Sequence, residues 1–166
     1  FNLRILAAAG FYLGDLPGNA AVQLSKLSQL EFPEHDTLAI AVKAAMDRPW
    51  EQTNETLESS RAKDILDVLR QHFRNGRSSE QKAYDAIKSL REWAYSHASA
   101  HDLLMADLLG AISATRIANS AWTLLPHYSN LSPEKWEPYL SRSVSIKEMW
   151  PSQRLLGEAG LYSGAS

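Results

Sequence analysis

Residues 101–125 read HDLLMADLLGAISATRIANSAWTLL, and the fold turns on this stretch. Leu104, Leu108, Ala111, Ile112 and Trp122 recur at helical spacing, so the run predicts one long helix that buries them and stops at Pro126. It is also the most membrane-like part of the chain. Asp102, Asp107 and Arg116 lie in or beside it, whereas a span needs about 20 residues with few or no charges. A long apolar helix that does not span a bilayer has to be covered by other helices.

Those helices are legible on either side. Upstream, a helix opening at the Ser78–Gln81 capping box and running to about Ser99 carries Ala83, Ile87, Leu90 and Ala94 on one face. A further helix covers 54–74, with Ile65, Leu66, Leu69 and Phe73 inward and Asn75-Gly76 as its stop. Residues 36–47 form a shorter one, burying Leu38, Val42 and Ala45 and ending at Arg48-Pro49-Trp50. The chain opens with a tight helical hairpin. Its first arm is 2–13, and its second starts at Asp15-Leu16-Pro17 and runs to about Leu30 with Ala21, Leu24 and Leu27 on one face. Downstream, Ser132-Pro133-Glu134 opens a short helix to Leu140. Val144-Ser145-Ile146 is the sole alternating run and is too short to seed a sheet. The fold class is therefore all-α, an irregular multi-helix bundle with an opening hairpin.

Composition narrows the functional classes. The 166 residues are 45% hydrophobic and 22% charged, the ordinary range for one globular domain with room for a short appendage. A formal net charge of −2 excludes a strongly basic coat that grips nucleic acid everywhere. There is no cysteine, hence no disulfide framework, thiolate zinc site or cysteine nucleophile. No basic region and cleavage site open the sequence, so the expected location is cytoplasmic and no membrane partner is expected. Charge is uneven: residues 61–91 hold eight Lys or Arg against four Asp or Glu. Arg70, Arg74 and Arg77 form a candidate nucleic-acid patch there. The same cations also suit a solvated helix end, where they complement the dipole.

The sharpest signal lies in residues 146–166, IKEMWPSQRLLGEAGLYSGAS. They read as an extended approach, a Trp-Pro turn, a short helix and a glycine-bounded end. Trp150, Pro151, Gln153, Leu156, Leu161 and Gly164, in that order and spacing, resemble the Q motif of superfamily 2 helicases, the DEAD/DEAH and Ski2-like group. In that family an aromatic-Pro-x-Gln turn leads into a helix with a leucine-glycine end, ahead of a strand and the phosphate-binding loop. The resemblance implies that Gln153 reads adenine, with Trp150 beside it and Trp136, upstream, as a stacking aromatic. The chemistry suits a glutamine, whose amide offers an acceptor and donors side by side. Adenine shows a donor and an acceptor on one edge, where guanine shows two acceptors.

The resemblance further implies ATP and Mg²⁺ as cofactors of the intact protein, and none for these residues alone. No G-x-x-x-x-G-K-[ST] loop and no Asp-Glu-Ala-Asp-like run occurs in them. The expected organisation is a helical accessory domain over 1–143 and the Q-motif-like start of a motor domain over 144–166, cut before the phosphate loop. Phe1 and Ser166 read as cut ends. The opening Ala7-Ala8-Ala9-Gly10-Phe11-Tyr12-Leu13 resembles the helical front end of some bacterial helicases of this group. The implied partners are the motor domains of the same polypeptide, DNA or RNA, or another protein.

Two rival readings stand beside this one. The first is a free-standing helical protein–protein adaptor, in which the tail packs on the bundle. The second is a metal-dependent hydrolase built on His97 and His101, four apart on a helix, with Asp102 adjoining. Glu34-His35-Asp36 reads as a helix-start cluster. No G-x-S-x-G elbow and no G-x-G-x-x-G after a strand is present.

Overall fold

The computed structural model describes residues 1–27, 36–47, 60–76, 80–142 and 144–163. Within them the chain is helical, as the periodicities require. The elements are α1 (Asn2–Leu13), α2 (Pro17–Leu27), α3 (Thr37–Met46), α4 (Ser60–Asn75), α5 (Glu80–His97), α6 (Ala100–Ala118), α7 (Ala121–Ser129), α8 (Pro133–Leu140) and α9 (Pro151–Glu158), then a 3₁₀ turn at Leu161–Ser163. No strand forms among the described residues, and Ser120 with Glu148 makes an isolated antiparallel bridge. No described helix is long and apolar enough to cross a membrane.

The helices close at chemically sensible places. Asp15, with φ of 63°, makes the turn between α1 and α2, and Leu16 N–H bonds back to the Phe11 carbonyl at 2.8 Å. A short acidic side chain tolerates this left-handed backbone. Pro17 then sits where its missing N–H costs nothing. Asp36 caps α3, its carboxylate accepting from Ala39 N–H at 3.0 Å. Gly76 ends α4 with φ of +63°, and the Trp122 ring lies where a Cβ would stand. The expected starts at 54 and 78, and the expected end at 30, lie outside the described residues.

The main core is built from α1 to α6. Ile5, Val42, Leu66, Leu69, Phe73, Leu90, Met105, Leu109 and Ile112 are essentially without exposure there. A second, smaller core joins Ala121, Trp122 and Leu125 of α7 to Leu140 and Met149, with Tyr128, Trp136 and Tyr162 packed against it.

Three expectations are corrected. The helix over 101–125 is two helices: α6 ends at Ala118, and Ser120 starts α7 by accepting from Thr123 N–H at 3.1 Å. Pro126 lies inside α7 instead of ending it. The lost backbone bond is offset by the burial of Trp122 and Leu125 in the turn before it. Finally, Leu104 and Ala111 of α6 and Ala21 of α2 are exposed, while Met105, Ala106, Leu109, Ile117 and Ala20 face inward. α6 is apolar on nearly every side, so periodicity could not choose its inner face.

Candidate functional site

The Trp150 turn follows from its residues. Trp150 is extended, with φ of −70° and ψ of 158°, as the position before a proline requires. Pro151 is the first residue of α9, and Gln153 is the third. The Gln153 side-chain Oε1 accepts the Trp150 backbone N–H at 2.8 Å. That bond satisfies a donor that α9 cannot, and it sets the orientation of the amide. Gln153 makes no other hydrogen bond among the described residues, so a lone pair on Oε1 and the whole NH₂ group stay available. Gly157 lies flat under the Tyr128 ring, which brings α9 onto α7.

Charged groups fix this segment to the opening hairpin and to α6. Arg154 of α9 donates to both Asp15 oxygens, at 2.6 and 2.5 Å, and to the Met149 carbonyl at 2.9 Å. Glu148 reaches inward: one oxygen accepts the Tyr12 hydroxyl, and the other pairs with Arg116 at 3.1 Å. Arg116 is buried, and it also donates to the Ala45 and Asp47 carbonyls at 2.7 and 3.0 Å. Burial pushes the Tyr12 hydroxyl above its ordinary range. The Arg116 charge opposes that shift, and Glu148 adds to it as a nearby charge and as the bond acceptor. Behind Trp150 a cavity of about 30 Å³, touched by Tyr12, Asn119 and Arg154, has room for a water and not for a purine. A base would have to meet Gln153 from the outer side of α9.

Beside the turn, Lys147 is buried with its ammonium on the Leu140 and Arg142 carbonyls, at 2.7 and 2.8 Å. Burial pulls its pKa below the usual lysine value. Ser145 Oγ shares the same two carbonyls. This knot turns the chain from α8 toward α9 without any strand.

The other expected site residues are dispersed. Trp150 is half exposed, with its ring edge next to Gly18. Trp136 packs in the second core instead, its indole N–H donating to Ser129 Oγ at 3.0 Å and its ring edge-on to Tyr139. Arg70 is half-buried and paired with Asp67 at 3.1 Å. Arg74 is exposed near the end of α4, and Arg77 lies outside the described residues. His97 donates locally to the Trp93 carbonyl at 3.2 Å. His101 instead bonds Asp36 at 2.8 Å, and with Asp102 these two bring their ligand atoms within 4.8 Å of one another. His97 ends α5 and His101 lies in α6, so the two do not share a helix, and Asp36 at the start of α3 stands where the spacing suggested His97.

Sequence reading missed Tyr12, Asp15, Arg116 and Glu148. Arg116 did carry a signal, since a lone cation in an apolar helix asks for a buried partner. No family model, curated protein or solved structure matches this chain.

Proposed function

We propose that the chain is the helical accessory domain of an ATP-dependent superfamily 2 helicase, with Gln153 reading the adenine of ATP in the intact protein. The observation that carries this reading is the Gln153 amide. Its Oε1 is held by the Trp150 N–H, and a lone pair and the NH₂ group are left over. Those are the groups that adenine N6–H and N7 require. Trp150, Pro151 and Leu156 stand at the start and on the surface of α9, and Leu161 opens the 3₁₀ turn after it; Gly164 of the same pattern lies outside the described residues. ATP and Mg²⁺ belong to the motor, as do the residues that hold phosphate. This domain contributes the base contact, packing against the motor and a surface for DNA, RNA or a protein. Alone it turns over no ATP.

The test uses the full product of the gene. Gln153→Ala should lower kcat/KM for ATP by about 10- to 100-fold, the range of a bidentate base contact, and leave GTP hydrolysis unchanged. Gln153→Glu separates reading from capping. It keeps an acceptor for the Trp150 N–H but has no donor for N7, so it should match the alanine variant in kcat/KM while retaining wild-type stability. A gene product without nucleoside triphosphatase activity would overturn the proposal.

The second reading is the free-standing adaptor. The Trp150 cap bond favours it, because that bond gives Gln153 a structural use with no nucleotide. Under it, Gln153→Ala changes stability alone.

A further inference from the structure

We propose that Asp36, His101 and Asp102 form a binding site for a divalent transition-metal ion of the Zn²⁺ type. The three residues come from two helices. Asp36 stands immediately before α3, and His101 and Asp102 lie in the first turn of α6. α3 and α6 pack against each other in the main core, so the ligands are carried on a rigid pair. His101 Nε2 lies 2.8 Å from Asp36 Oδ2, and one ligand atom from each of the three residues falls within 4.8 Å of the other two. Zinc binds imidazole nitrogen and carboxylate oxygen at about 2.0–2.2 Å, so two of its ligands stand about 3–4 Å apart. Small side-chain rotations therefore close this set around one ion.

Helix capping explains only part of the arrangement. Asp36 Oδ1 accepts Ala39 N–H at 3.0 Å, and Asp102 Oδ2 accepts the Ser99 hydroxyl at 2.8 Å. Each bond uses one carboxylate oxygen and holds its side chain in place, the support that a ligating carboxylate needs. Capping does not require the two carboxylates to converge, nor a histidine nitrogen to join them. No Lys or Arg forms an ion pair with either acid among the described residues. The set thus carries two negative charges for a divalent ion to neutralise. The donors choose the ion. Ca²⁺ and Mg²⁺ take shells built of oxygen, whereas imidazole suits Zn²⁺ and its neighbours in the first transition row. On binding, Nε2 passes any hydrogen it carries to Nδ1 or to water and gives its lone pair to the metal. The His101 side chain is 39% exposed, so water can complete the coordination from that side.

Isothermal titration of the 166-residue chain with ZnCl₂ tests this. The wild type should bind one Zn²⁺ per chain, and its Tm should rise with Zn²⁺ because the ion binds the folded state. Asp36→Asn and Asp102→Asn keep an oxygen for the bonds to Ala39 and Ser99 but lose the negative charge. Each should raise the dissociation constant by about tenfold or more and blunt the Tm response, with an unchanged circular dichroism spectrum. His101→Gln should do the same. His97→Ala should leave zinc affinity as it was, since the His97 ring bonds the Trp93 carbonyl within α5. A wild-type chain that takes up no stoichiometric Zn²⁺ overturns the proposal. So does zinc binding that survives all three ligand variants, or binding that is lost with His97→Ala.

Discussion

The two cores of this molecule are sealed by different means. The main core is aliphatic and continuous, since α1 to α6 are long enough to turn a whole apolar stripe toward one another. The second core rests on three short helices and an extended segment, none of which can do so. There, side chains bond to backbone: Lys147 and Ser145 hold the carbonyls that end α8, Gln153 holds the N–H that starts α9, and Arg154 holds the Met149 carbonyl. Short helices leave a larger share of their backbone groups unpaired at the ends, and these polar side chains take them up. The comparison teaches where the candidate site gets its rigidity. The Trp150 turn is positioned by hydrogen bonds and ion pairs to its neighbours, and little by its own burial.

The most severe way to break the contrast is to cut the link between the regions. Glu148→Ala leaves Arg116 buried beside Tyr12 without its carboxylate, and should destabilise the fold by about 3–5 kcal/mol in urea denaturation. If the second region then melts first, unfolding should lose its single transition. Gly157→Ala attacks the contact between α9 and α7. Its Cβ would stand 2.3 Å from the Tyr128 ring, so a cost of about 1–3 kcal/mol is expected from the same measurement.

A subtler probe is Tyr12→Phe, which removes a buried hydroxyl bonded to a carboxylate and should cost about 1.5 kcal/mol at neutral pH. Its pH dependence has a defined sign. The folded-state pKa of Tyr12 lies above the ordinary 10.0. The hydroxyl's contribution is therefore complete below pH 10 and lost as pH rises beyond it. The stability gap between wild type and Tyr12→Phe should accordingly narrow in alkaline denaturation series. Smallest and opposite in sign is Gly10→Ala in α1. A Cβ there meets nothing within 4 Å, so the change should stabilise by about 0.5–1 kcal/mol, visible as a raised Tm. A loss of stability at that position would show that the outer face of the hairpin is covered.

Much of the fold was legible along the chain, because its signals are local. The Asn75-Gly76 stop, the Pro17 and Pro133 starts, and the inner faces of α3 and α4 follow from spacing and capping chemistry. The failures have a physical cause as well. Pro126 is tolerated because the residues around it are buried by partners far away in sequence, which outweighs a local breaker. The inner face of α6 was misread because a helix that is apolar on most sides has no preferred face until its neighbours are placed. For the candidate site, the Trp150-Pro151-Ser152-Gln153 turn was visible in order and spacing. Its supports were not, since Asp15 and Tyr12 lie at the other end of the chain from Arg154 and Glu148.

The sequence by itself determined the helical class, most of the helix starts and stops, and the order of the Trp150-Pro151-Ser152-Gln153 turn; it placed the cap of α9 at Ser152, where the structure has Trp150. Periodicity and end-capping are properties of residues a few positions apart, and they survive without the rest of the molecule. Only the tertiary structure decided that Asp36 meets His101, that Arg116 and Tyr12 share Glu148, and that one face of α6 lies inside while the other lines an open groove. Those outcomes depend on which surfaces remain when all the helices compete for the same core. No local pattern encodes that competition.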